Sequence, residues 1–282
     1  MDAGGLLHEA LRRFFTNHCG KRLSVSDRQN LRDEMRSIAD QVFYERERAV
    51  PPLNVHVWRI DREIYQLQLA RVIDYEIDLQ NNYDSDGALP RYFELGFGME
   101  HGVRDEKSTS DFLPMFRDDK PSHTSDSIRL RGQIDRVDMA VDGTLVAYDY
   151  KLSRGASERD MIEGRDLQIG IYLDALETLF FEGQNIAGGG YYVLRNPDRK
   201  RGLYREAFDS YTHLGKRAGS VLDDDQWFDC RATMRRRIWQ FVDRIRAGRF
   251  VVDPSAPEQT CGNCDFAAVC RYEKYRILNK LK

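Results

Sequence analysis

The 282 residues, 41% hydrophobic and 32% charged, suffice for one large domain or two small ones with a real core beneath a charged surface. A formal net charge of −3 does not announce a nucleic-acid binder, although a local basic patch would serve as one. The sequence has no apolar run of the roughly 18 residues that a membrane span needs and no charged-then-apolar signal-peptide start, so a soluble cytoplasmic protein is expected.

Leu7, Leu11, Phe14 and Phe15 recur at helical spacing and predict a helix over 4–15. Leu31, Met35, Ile38 and Val42 mark a second helix. Ile60, Ile64 and Leu67 begin a third, and Pro51-Pro52 separates the two. The texture changes near Leu89-Pro90. Residues 91–98 read as a short aromatic strand, and 100–127 as a polar loop with a charged, mobile stretch at 117–120. Residues 128–141 and 144–151 predict two strands joined at Asp142-Gly143, a hairpin signal. Residues 166–181 predict a well-buried helix, and 188–195 and 203–208 two further strands. Met234, Ile238, Phe241, Val242 and Ile245 predict an amphipathic helix that stops at Gly248. The expectation is a single α/β domain over 1–282, with a mainly helical part at 1–88, a catalytic core at 89–250 and a cysteine-bearing tail at 251–282.

Chemistry concentrates between Gly132 and Lys151. Asp149 and Lys151 are two apart, so on a strand both face one side. With Asp135 they offer two carboxylates for Mg²⁺ or Mn²⁺, which prefer oxygen ligands, and a lysine to orient or activate water. Alone, Asp-x-Lys is by default a surface ion pair; its order and company among the other motifs are what favour a site. Register supplies a test. A two-residue turn at Asp142-Gly143 would set Asp135 opposite Tyr150, on the wrong face to join Asp149. A three-residue loop or a bulge would bring Asp135 beside Asp149 or Lys151, and this irregular hairpin is the predicted one. Asp138 is expected to pair with an arginine such as Arg136. Gln168 and Tyr172, at i and i+4, share a helix face. Two basic stretches, Arg195 to Arg201 and Arg235-Arg236-Arg237, fit a nucleic-acid patch or a solvated surface equally. Cys261-x2-Cys264-x5-Cys270 argues for a metal site over a disulfide framework. Cys19 and Cys230 fall outside that spacing and read as buried or incidental thiols.

In this order the motifs resemble the RecB-type nuclease domain of the PD-(D/E)xK superfamily, as found at the end of AddB-type helicase–nuclease subunits. Gly4-x3-His8-x2-Leu11 resembles the family's opening helix motif, and Glu94-x2-Phe97 its Glu-x2-Phe strand. Gly132-x2-Asp135-Arg-x-Asp138 resembles the second acidic motif, Asp149-Tyr-Lys151 the (D/E)-x-K, and Gln168-x3-Tyr172 the helix motif that follows. The three terminal cysteines resemble the trailing ligands of its iron–sulfur staple.

The resemblance implies a restriction-endonuclease-like core, a central mixed β-sheet flanked by helices. It implies a Mg²⁺- or Mn²⁺-dependent deoxyribonuclease, an exonuclease of helicase-coupled end processing and double-strand break repair, acting on DNA with a helicase domain or subunit near the nucleoid. His8, Asp135, Asp149 and the main-chain carbonyl of Tyr150 would hold the metal. Asp135, Asp149, Lys151, Gln168 and Tyr172 would be catalytic, with Gln168 and Tyr172 also positioning DNA. Glu94 fits a metal ligand and a salt bridge equally. Cys261, Cys264 and Cys270 are three ligands where a [4Fe–4S] cluster takes four. The family's first cysteine precedes the histidine helix and is missing here, so the sequence is expected to be a fragment of a longer protein. Cys19, Cys230 or a zinc site with a non-cysteine ligand are the other options.

Overall fold

The computed structural model describes residues 3–81, 87–101, 105–117, 127–212, 221–250, 261 and 264–270. The chain divides into two compact units, Met1–Arg237 and Ile238–Lys282. The first opens with three helices, α1 (Ala3–Asn17), α2 (Arg28–Ala49) and α3 (Val55–Asn81). Leu7, Leu11, Phe14 and Phe15 of α1 and Leu31, Met35, Ile38 and Val42 of α2 are buried, as their spacing predicts. In α3 the expected stripe faces outward. Ile60, Ile64 and Leu67 are 59%, 43% and 61% exposed, whereas Trp58, Leu69, Val72, Ile73 and Ile77 are buried. A 27-residue helix with two apolar stripes buries the one that carries the larger continuous face.

The sheet runs β1 (Leu89–Phe97), β4 (Gly132–Met139), β5 (Leu145–Lys151), β6 (Ile186–Val193), β7 (Asp198–Arg205) and β8 (Val221–Leu222) in spatial order. It is mixed: β1–β4, β4–β5 and β6–β7 are antiparallel, while β5–β6 and β7–β8 are parallel. Between β5 and β6 lie α4 (Glu158–Ile162) and α5 (Gln168–Ala175), the latter continued by a π-helical turn to Phe180. Then follow α6 (Asp209–Thr212) and α7 (Asp224–Arg246). Two cores cover the two faces. Val146, Tyr148, Tyr150 and Tyr192 pack with α1, α2 and α3. Leu145, Ala147 and Leu203 pack with Met161, Ile169, Leu173 and Leu176, and with Trp227 and Met234 of α7. The alternation along β5 thus turns its odd-numbered residues toward α5.

Three expectations shift. The strand expected over 128–141 breaks at Arg131. Its first piece, β3 (Ser127–Leu130), pairs instead with β2 (Leu113–Phe116), a strand inside the expected loop. Just after the break Gly132 pairs with Phe97 of β1, and the absence of a side chain there lets the Phe97 ring come close, since a Cβ would lie 2.8 Å from it. The strand expected at 203–208 begins five residues earlier, because the charged Asp198-Arg-Lys-Arg hides its alternation and buried Arg199 is satisfied by carboxylates. In the second unit Ile238 is buried but Phe241 and Ile245 are exposed, so only part of that stripe is covered. Gly248 ends the helical run at φ +63°, as expected. The last described helix is the short α8 (Ala267–Cys270). Most of the stretch expected to be mobile, 118–120, lies outside the described residues.

Candidate active site

The hairpin that carries the acids is the irregular one. The Ala140 amide donates to the Thr144 carbonyl at 2.9 Å and the Gly143 amide to the Ala140 carbonyl at 3.0 Å, which closes a three-residue loop. Gly143 sits at φ +87°, a conformation that glycine adopts without steric cost. The register is Arg136 opposite Tyr148 and Val137 opposite Ala147, and one step further sets Asp135 level with Asp149. At that point the Asp135 side chain replaces the ladder, and its Oδ2 accepts the Tyr150 amide at 2.7 Å.

Four elements converge there. From α1, His8 Nδ1 lies 3.6 Å from Asp135 Oδ2, and its ring meets the Tyr150 ring edge-on with centroids 5.4 Å apart. From β1, Glu94 joins His8 and Asp135 in a group whose ligand atoms all lie within 4.8 Å of one another. Glu94 is buried and is the one described non-glycine residue with positive φ, at 57°. Such strain persists where the surroundings hold it, often at working sites. From β5, Asp149 Oδ2 lies 2.7 Å from Lys151 Nζ. From α5, Gln168 Nε2 donates to Asp149 Oδ1 at 2.6 Å and to the Tyr172 hydroxyl at 2.8 Å. Its Oε1 accepts from Lys151 Nζ at 3.0 Å, and the Tyr172 hydroxyl donates to Asp149 Oδ1 at 3.3 Å. The amide has only one workable orientation, because the ammonium can only donate and the carboxylate only accept.

The electrostatics follow from burial. Desolvation, and then the charge of Asp135, push the Asp149 carboxyl up to about 6, against the pull of Lys151 and His8. For His8, burial lowers the pKa, but the Asp135 hydrogen bond and the charges of Asp135, Glu94 and Asp149 outweigh it, and the net direction is up. Burial and the Asp149 charge raise the Tyr172 phenol.

The donor set fits a hard divalent cation. Asp149 Oδ2 is buried, and among the described residues the Lys151 ammonium at 2.7 Å is its one close cation. Glu94, Asp135 and Asp149 place an excess of carboxylate oxygen beside one imidazole, the oxygen-rich chemistry that Mg²⁺ and Mn²⁺ select. Asp149 itself stands outside the tight group of His8, Glu94 and Asp135 and is held by Lys151, Gln168 and Tyr172. Glu94 is the member that sequence left undecided, since nothing in Glu-x2-Phe fixes where a strand side chain points.

Asp138 takes no part. It pairs with Arg136 at 2.5 and 2.8 Å inside a buried ionic group with Glu76 and Arg199. Among the described residues the cysteines are all free thiols. Among the same residues the only group that could hold a metal is the one above, and the sulfurs of Cys261, Cys264 and Cys270 do not make another. The proposed substitutes are placed otherwise: Cys230 is buried with its thiol pushed up to about 11, and Cys19 donates to the Arg91 carbonyl at 3.3 Å. The iron–sulfur expectation is therefore not supported. No helix among the described residues is long and apolar enough to cross a membrane.

A mixed sheet with helices on both faces, and an acid-x-lysine pair at the end of a central strand, is the architecture of a restriction-endonuclease-like nuclease. A family model described as the PD-(D/E)XK nuclease superfamily matches residues 1–271, and the chain belongs to that superfamily. It is a nuclease by family, and nucleases of this superfamily use divalent metals. No curated protein matches the chain.

Proposed function

We propose that the chain is a Mg²⁺- or Mn²⁺-dependent deoxyribonuclease of the RecB type, an exonuclease that trims DNA ends delivered by a helicase domain or subunit in break repair, in the cytoplasm beside the nucleoid. The observation that carries this reading is the meeting of Asp135, Asp149, Lys151 and Gln168 at one end of the sheet. The RecB-type assignment is supported by His8 on the opening helix beside Asp135, and by the Gln168–Tyr172 pair on the helix that grips Asp149.

Asp135, Asp149, His8 and the Tyr150 carbonyl would hold the ion, with Glu94 as a further carboxylate. Such an ion stabilises charge on a phosphoryl oxygen and lowers the pKa of bound water. The chain's own groups do the rest. Tyr150 donates its amide to Asp135 and so fixes that carboxylate. Gln168 holds Asp149 with its nitrogen and Lys151 with its oxygen, which sets the two side chains at a constant separation. Lys151, its side chain 34% exposed, presents a cation to the attacking water or the scissile phosphate.

The test is incubation of labelled linear and circular, single- and double-stranded DNA with Mg²⁺, Mn²⁺ or chelator. Linear DNA is degraded only with metal, and circular DNA is spared. Asp149→Ala and Lys151→Ala each lower the rate by about 10²–10³-fold or more, the scale of removing one group that stabilises transition-state charge. Unchanged cleavage by both variants would refute the assignment.

A further inference from the structure

The basic stretch between Arg195 and Arg201 is divided by the fold into groups with different work. Arg199 is buried against Asp138 and Glu76. Arg201 donates from Nη1 to the Gly155 carbonyl at 3.1 Å. It thereby pins the segment that follows Lys151, and Gly155 itself lies so close to Tyr191 that a Cβ would fall 2.4 Å from that side chain. Arg195 is exposed, and so is Arg154 on the pinned segment.

Their placement is fixed by backbone. β5 and β6 are parallel with Lys151 level with Val193. Beyond the strands the Leu194 amide donates to the Lys151 carbonyl at 2.9 Å and the Arg195 amide to the Leu152 carbonyl at 3.0 Å. Arg195 and Arg154 therefore leave the sheet at the end where Lys151 stands, one from each of two adjacent chain segments. Elsewhere in the first unit many arginines are spent on carboxylates, among them Arg12, Arg13, Arg28, Arg32, Arg62, Arg136, Arg205 and Arg231. Among the described residues neither Arg154 nor Arg195 is ion-paired. In the second basic stretch Arg235 is held by Asp174 and Arg237 donates to the Glu163 carbonyl, while Arg236 is exposed on α7, away from β5 and β6 in sequence.

We propose that Arg154 and Arg195 form a two-point clamp for the phosphates of a DNA strand next to the scissile position. This rests on the nuclease reading of the same site. Two guanidinium forks fixed to the rim beside Lys151 hold the backbone in register while reading no base, because phosphate contacts carry no sequence information. They add positive charge beside Lys151 on a chain of negative net charge.

The experiment is equilibrium binding of fluorescent single- and double-stranded oligonucleotides, with Ca²⁺ in place of Mg²⁺, across a salt series, paired with steady-state cleavage in Mg²⁺. For the Arg154→Ala/Arg195→Ala double variant, affinity falls about tenfold or more and the slope of log affinity against log salt loses about two, one per phosphate contact. In cleavage the change appears mainly as a rise in KM. Arg59→Ala/Arg71→Ala, exposed arginines on α3, leaves both readouts at wild-type values. Wild-type affinity and salt slope in the Arg154/Arg195 variant overturn the clamp, as does wild-type protein that binds no DNA. Should the wild type bind DNA without cleaving it, the altered slope still supports the clamp while the nuclease reading fails.

Discussion

Neighbouring residues on β4 serve two charge clusters built to opposite ends. Arg136 enters a sealed group in which it and Arg199 face Glu76 and Asp138, two cations against two anions, all at most 2% exposed. The Arg136 guanidinium lies 4.6 Å over the Phe15 ring. Asp135, one residue earlier, enters a cluster where the carboxylates of Glu94, Asp135 and Asp149 outnumber the cations. The difference shows between Glu76 and Asp149; Asp138 does not share it, since burial raises its carboxyl despite Arg136 and Arg199. Burial would raise Glu76, but Arg136 and Arg199 overcome it and hold its carboxyl down at about 2. Asp149 has no such surplus of cation and rises to about 6. A neutral sealed cluster ties α3 to the sheet, whereas an unbalanced and partly open one calls for a ligand.

Breaking the sealed cluster should have the largest effect on stability. Glu76→Ala strands Arg136 and Arg199 in the core and should cost about 3–5 kcal/mol, the range for removing one partner of a buried ion pair. Chemical denaturation measures it. A loss under about 1 kcal/mol would mean that the group tolerates opening and that its contrast with the site is overstated. Asp149→Ala should leave the midpoint of unfolding near or above wild type, because burial and the charge of Asp135 outweigh what Lys151 and His8 contribute to its carboxylate.

Gln168→Ala sharpens the comparison with a smaller effect. Gln168 touches Asp149, Lys151 and Tyr172 but is not needed to close a neutral group, so stability should hardly move. Activity should fall about 10–100-fold, the scale of losing a group that orients a metal ligand. A stability loss without an activity loss would make Gln168 a structural residue.

Much of the site is readable in the sequence because its geometry is local. Asp149 and Lys151 are fixed by strand period, Gln168 and Tyr172 by helix period, and Asp135 by the loop length at Asp142-Gly143. What could not be read depends on distant pairing. Nothing near Glu76 in sequence reveals that it meets Arg136 and Arg199. Without those partners Arg199 looks like part of a solvated basic run and hides the start of β7. The facing of α3 has the same cause, since the choice between its two apolar stripes is made by α1, α2 and the sheet.

The metal requirement is also open to pH. With an ordinary aspartate value of about 3.9 in the unfolded chain and about 6 when folded, Asp149 keeps its proton longer in the folded state. Metal-free stability should therefore fall as pH rises through that window. Metal needs the bare carboxylate and should bind more tightly as pH rises through about 6. The central claim is that Asp135 and Asp149 share a divalent cation. Calorimetric titration of Mn²⁺ into wild type and Asp135→Ala at about pH 5 and about pH 7.5 tests it most directly. Saturable binding is expected in the wild type, weaker at the lower pH and lost in the folded variant. Equal binding by both proteins would contradict it.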